Sequence, residues 1–148
     1  MSSLDKNITT NLIQTLEDGR KGYAEAASKL ADSDWANLTP MFNAFSTQRA
    51  KFSAELESLA AAYGDDIDES GSVLATAHRG WMSIKDLFAG SSPDGVLDAV
   101  EQGETYALEQ FSDALRQDVS PRLRIVIERQ FSEIQKALAE VTAIRVSA

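Results

Sequence analysis

Ser92-Pro93-Asp94-Gly95-Val96-Leu97-Asp98-Ala99-Val100-Glu101-Gln102-Gly103-Glu104 holds in one stretch the signals on which the fold turns. A hydroxyl followed by proline opens a helix. The serine oxygen accepts a bond from an orphan first-turn N–H, and proline lacks the N–H that would have gone unsatisfied. Behind it, Leu97, Val100 and Glu104 recur in steps of three and four, which is one helical face. That face is apolar until it meets a carboxylate near mid-helix.

The start signal repeats. The chain has three prolines, and each follows a hydroxyl: Thr39-Pro40, Ser92-Pro93 and Ser120-Pro121. Each predicts a helix start within about two residues, with the hydroxyl bonded to a first-turn N–H. Ser3 or Asp5 is the expected cap of the first helix. The apolar stripes agree with four helices. The first carries Leu4, Ile8, Leu12, Leu16, Gly19, Tyr23, Ala26 and Leu30, and the second Met41, Phe45, Arg49, Phe52, Leu56, Leu59 and Tyr63. The third continues from Glu104 through Leu108, Phe111 and Leu115. The fourth runs Leu123, Ile127, Gln130, Ile134, Leu138 and Val141. Sustained period-two alternation is absent, so no sheet is expected.

The connections differ in length. Short ones, around Asp32 to Asn37 and around Asp118, make antiparallel neighbours. Nearly thirty residues separate the second and third helices, from Gly64 to Ser92. A connection of that length crosses a bundle and leaves the helices it joins parallel, as in ferritin-like folds. Leu74, Ala77, Trp81, Ile84 and Phe88 form their own stripe, which predicts a short extra helix in the crossover. The expected fold is a single all-α domain over residues 1–148, a ferritin-like four-helix bundle with that crossover.

Composition bounds the function. The formal net charge is −9, which argues against nucleic acid, whose phosphates call for clustered Lys and Arg, and against anionic membranes. Apolar runs fall well short of the roughly 20 residues of a membrane span. The first residues lack the apolar core of a secretory signal, so a cytoplasmic location is expected. Cysteine is absent, and with it disulfide and thiol chemistry.

Di-iron bundles take a Glu from each of two helices and a Glu-x-x-His from each of the others. This chain has one histidine, His78, and three residues before it stands Ala75. No metal or cofactor is expected. Glu101, Glu104 and Gln130 are weak candidate ligands, since Glu101 and Glu104 lie one turn apart but lack nitrogen partners. Three stripes instead carry a polar residue near mid-helix: Arg49, Glu104 and Gln130. The remaining one has Gly19 there, beside Asp18. These predict a buried polar layer in which Arg49 pairs with Glu104 and Gln130 satisfies the leftover donors and acceptors. The rival readings are side chains reaching solvent at the bundle edge, or a metal or small-molecule site. Gly19 and Gly22 each cost roughly 1 kcal/mol against Ala in a helix. Close approach of another helix, or room for a large side chain from the opposite helix, is the expected reason, and a local helix break the alternative. Tyr23 reads as core packing. His78, Arg79 and Trp81 form a crossover motif in which Trp81 anchors the crossover.

Asp18-Gly19-x-x-Gly22-Tyr23, Arg49-x-x-Phe52, His78-Arg79-Gly80-Trp81, Glu101-x-Gly103-Glu104 and Gln130 together resemble a bacterial family of small ferritin-like four-helix-bundle proteins catalogued as a domain of unknown function. The resemblance spans nearly the whole chain. It implies a ferritin-like bundle of bacterial origin, in the cytoplasm, with no established activity. The functional expectation is a non-enzymatic bundle that keeps a polar core layer in place of a metal centre and acts through protein contacts, in a stress role. The alternatives are a metal-binding carboxylate bundle with oxidase-like or storage chemistry and a binder of a small molecule in the core. A homodimer is plausible on spare aromatic residues such as Trp35.

Overall fold

The computed structural model describes residues 1–65 and 92–147. They form four helices: α1 (Ser3–Leu30), α2 (Thr39–Ala62), α3 (Pro93–Leu115) and α4 (Pro121–Ser147), with a 3-10 turn, Ala36–Leu38, ahead of α2. Among the described residues there is no strand. The predicted crossover helix and its residues His78, Arg79 and Trp81 lie outside the described residues.

The three proline signals mark three helix starts, but the hydroxyls serve different ends. Ser92 caps α3, accepting from the Gly95 N–H at 3.2 Å. Thr39 is the first residue of α2 and its hydroxyl donates to the Ala27 carbonyl of α1 at 3.1 Å, so it ties two helices together and does not cap. The chain already turns helically in the preceding 3-10 segment, which leaves no extended residue at Thr39 to act as a cap. At the first helix the cap is Ser2, one residue earlier than expected, accepting from the Asp5 N–H at 3.1 Å. Asp5 itself is buried, and its carboxylate accepts from the Ser120 N–H, joining the start of α1 to the start of α4.

Side-chain pairs give the helix directions. The Met1 amine meets Asp65 just past α2, Asn11 meets Gln110, and Asp5 meets Ser120, so the start of α1, the end of α2, the end of α3 and the start of α4 share one end. Leu30, Leu38, Phe42, Leu97 and Val141 gather at the other. Helices α2 and α3 therefore run parallel to each other and antiparallel to α1 and α4. Residues 65 and 92 lie at opposite ends of the bundle. Helix α1 packs on α2 and α3, while α4 packs on α3 and, more lightly, on α2.

Two apolar clusters fill the interior. One holds Leu12, Leu16, Leu56, Phe111, Leu123 and Ile127, and the other Tyr23, Leu30, Phe42, Leu97 and Val100. The stripes mark both, with exceptions at their ends: Leu4 is 37% exposed and Tyr63 46%. Around the middle of α1 burial exceeds a stripe. Every residue from Leu12 to Gly19 is buried, including Gln14, Glu17 and Asp18. Trp35 is half-buried against the second cluster, so it is not a spare surface aromatic.

Candidate functional site

Between the two apolar clusters the stripes of α1, α2 and α3 present Gly19, Arg49 and Glu104 at one level. Arg49 and Glu104 are fully enclosed, 1% and 0% exposed. The guanidinium faces the carboxylate as a two-pronged fork, Nη1 to Oε1 at 2.5 Å and Nη2 to Oε2 at 2.6 Å. This planar, bidentate arrangement is the strong form of an ion pair and one that lysine cannot make. The third donor, Nε, reaches Gln48 Oε1 at 3.2 Å.

Tyr23 completes the network, and the sequence reading missed it. Its hydroxyl donates to Glu104 Oε2 at 2.6 Å. Its ring packs edge-on against Phe42 and Phe45, at centroid distances of 5.2 and 5.3 Å, and lies 5.2 Å from the Arg49 guanidinium carbon. The available signal was its spacing: Tyr23 follows Gly19 by one turn on the same stripe. Gly19 supplies room. A Cβ there would stand 3.3 Å from Arg49 Nη1 and 3.5 Å from its Cγ. Helix α1 runs through without a break, so the glycine serves the opposing side chain.

The electrostatics follow from burial and pairing. Burial alone pulls the Arg49 guanidinium down, but the charge and hydrogen bonds of Glu104 outweigh it, and the net shift is upward. Burial pushes the Tyr23 phenol well above its ordinary value, and the neighbouring Glu104 charge adds to this. Tyr23 is therefore a neutral donor at physiological pH, not a titrating group.

Two of the residues expected in the layer stand elsewhere. Gln130 is fully buried, but its amide donates to the Phe52 carbonyl at 3.2 Å and to Glu55 at 2.8 Å. It stands one turn along α2 from Arg49, out of reach of the ion pair, and Tyr23 takes the place expected for it. Its Oε1 is buried and finds no hydrogen-bond partner among the described residues. Asp18 is buried on α1 but turned about 100° from Gly19 by the helical step. Its carboxylate accepts from Gln14 Nε2 at 3.4 Å. Burial is the largest influence on it. The Gln14 bond and Lys21 pull the other way and Glu17 pushes up, and its pKa lies at about 7 against an ordinary 3.8.

Glu101 and Glu104, the weak ligand pair, diverge. Glu104 points inward, whereas Glu101 meets Arg145 of α4 at 3.1 Å on the surface, beside an Asp98–Arg145 contact of 2.7 Å. The donors do not fit a di-metal centre. Both oxygens of the Glu104 carboxylate are occupied, and a guanidinium already supplies the positive charge there. Among the described residues no three His, Cys, Asp or Glu side chains gather as metal ligands. None of the described helices is long and apolar enough to cross a membrane.

Residues 7–117 match the family described as Domain of unknown function (DUF2383). The match takes in α1, nearly all of it, with α2 and α3, and so contains Tyr23, Arg49 and Glu104, while α4 lies beyond it. No curated protein matches the chain.

Proposed function

We propose, from the premise that the chain belongs to the DUF2383 family, that it is a non-catalytic ferritin-like bundle whose Arg49–Glu104–Tyr23 network replaces a di-metal centre. The observation that carries this reading is the occupancy of Glu104. In a di-iron bundle the inward glutamates hold the metals. Here the inward glutamate holds a buried arginine on both oxygens and a tyrosine hydroxyl on one. The network fills the bundle's middle and ties α1, α2 and α3 into one register. The parallel run of α2 and α3 supports the ferritin-like assignment. The protein is bacterial and cytoplasmic in this reading. It works through protein contacts, in a stress role, and uses its core for rigidity and not for chemistry.

Elemental analysis of protein purified without chelator tests the proposal. Iron, manganese and zinc are expected far below one per chain, before and after incubation with each metal. Stoichiometric metal that disappears in Glu104→Gln would overturn it and make the network a closed form of a metal site. The same metal content in Glu104→Gln and the unsubstituted chain would place any bound ion away from the core.

A further inference from the structure

The outer face of α4 differs from the rest of the surface. Between α3 and the last turns of α4 runs an open apolar groove of about 650 Å³, lined by Leu108, Leu138, Ala139, Thr142, Ala143 and Val146, with Gln135 at its edge. No charged side chain lines it, in a chain of which 25% of residues are charged. Two large apolar side chains that stand well out in solvent, Ile125 (67% exposed) and Val146 (80%), both belong to this helix. They lie three heptads apart. Glu128, Ser132, Gln135, Ala139 and Thr142 connect them in alternating steps of three and four, the spacing of a helix-pairing seam. Along one flank of the seam the charges alternate in sign: Arg129, Glu133, Lys136, Glu140.

We propose that this face is a self-association surface, on which two copies of the chain pack α4 against α4, antiparallel, about a two-fold axis near Gln135. A two-fold interface must be complementary to itself. Antiparallel pairing meets that requirement here in three ways. It sets Ile125 of each copy against Val146 of the other. It sets Arg129 against Glu140 and Glu133 against Lys136, so along that flank the contacts join opposite signs. It brings Ser132 opposite Ala139, and small residues let two helix axes approach to about 8 Å. The groove itself carries no charge, and Glu128, the charged residue of the seam, falls opposite Thr142 and not opposite a second carboxylate, so two chains of net charge −9 meet without stacking like charges. Within one chain Lys136 meets Glu133 and Arg129 meets Glu55, but these side chains are partly or largely exposed. Pairs of that kind contribute little and re-partner easily.

Sedimentation over a range of protein concentrations tests the proposal. The expected species is a dimer of the 16.1 kDa chain, which Ala139→Glu converts to a folded monomer of unchanged helical content, because position 139 is exposed. Glu133→Lys weakens the dimer at least tenfold, and adding Lys136→Glu restores it. The chain has no cysteine, so single cysteines report geometry cleanly. Gln135→Cys forms a disulfide-linked dimer under mild oxidation. Ile125→Cys does not, because its two copies stand about 30 Å apart across the interface. A monomer at every concentration, a dimer unmoved by Ala139→Glu, or ready self-linkage of Ile125→Cys each overturns the proposal. The first would leave the groove to an apolar ligand or another protein, and the last would mean parallel packing.

Discussion

Of the arginine–glutamate pairs that join helices of this bundle, two have glutamates that stand one turn apart on α3. Glu104 meets Arg49 in the interior, with neither side chain more than 1% exposed. Glu101 meets Arg145 at the rim, where the arginine also reaches Asp98 and all partners touch water. The chemistry is the same and the consequence is opposite. In the interior the charges have given up hydration, so each depends wholly on the other. At the rim water and salt substitute for either partner. The difference teaches that a charged residue on a helix acquires its weight from depth, not from identity.

The interior pair is the place to break this comparison. Arg49→Met and Glu104→Leu should each destabilise by roughly 3–5 kcal/mol, because each leaves a buried charge without its counter-charge. The double variant should lie near the unsubstituted protein, since neither charge then needs desolvation. Denaturant melts of the four proteins decide it. Single losses that simply add would dissolve the pair into two unrelated residues.

Tyr23→Phe sharpens the comparison by removing one hydroxyl and little volume. It should cost about 1.5–3 kcal/mol, the range for a hydrogen bond to a charged group. In a Glu104→Leu background the cost should largely vanish, which thermal or urea melts would register. An undiminished cost there would assign the hydroxyl to another partner.

Asp18 is a buried carboxyl on which desolvation is the largest influence. Its folded pKa of about 7 lies above the ordinary 3.8, so between those values the folded state holds more protons than the unfolded. Stability from this group is therefore present at the acid end of that window, is lost as pH rises through it, and is flat above. Asp18→Asn should match the unsubstituted protein near pH 4 and exceed it by about 1–2 kcal/mol above pH 7. Urea melts at both ends of the window would show this. An equal gap at both would remove the titration.

The smallest effect belongs to the rim. Arg145→Gln should cost less than about 1 kcal/mol, and the loss should shrink further in high salt. A loss as large as that of Arg49→Met would erase the distinction between depth and surface.

The sequence alone determined the four helices of the described residues and most of their boundaries. Those depend on local physics: a proline can open a helix but not continue one, and steps of three and four make a face. It also singled out Arg49 and Glu104, because a charge on an apolar stripe must be either paired or misplaced. Tertiary structure decided what local rules do not encode. Whether Thr39 caps its own helix or bonds Ala27 depends on the neighbour that comes within reach. Tyr23 looks like core in sequence because its ring is core, and only packing carries its hydroxyl to Glu104. Gln130 and Glu104 interrupt their stripes alike, yet one turn of axial offset gives them different partners. Period and capping are set within a few residues of chain, whereas the register of one helix against another is set by the shapes and charges of all four together.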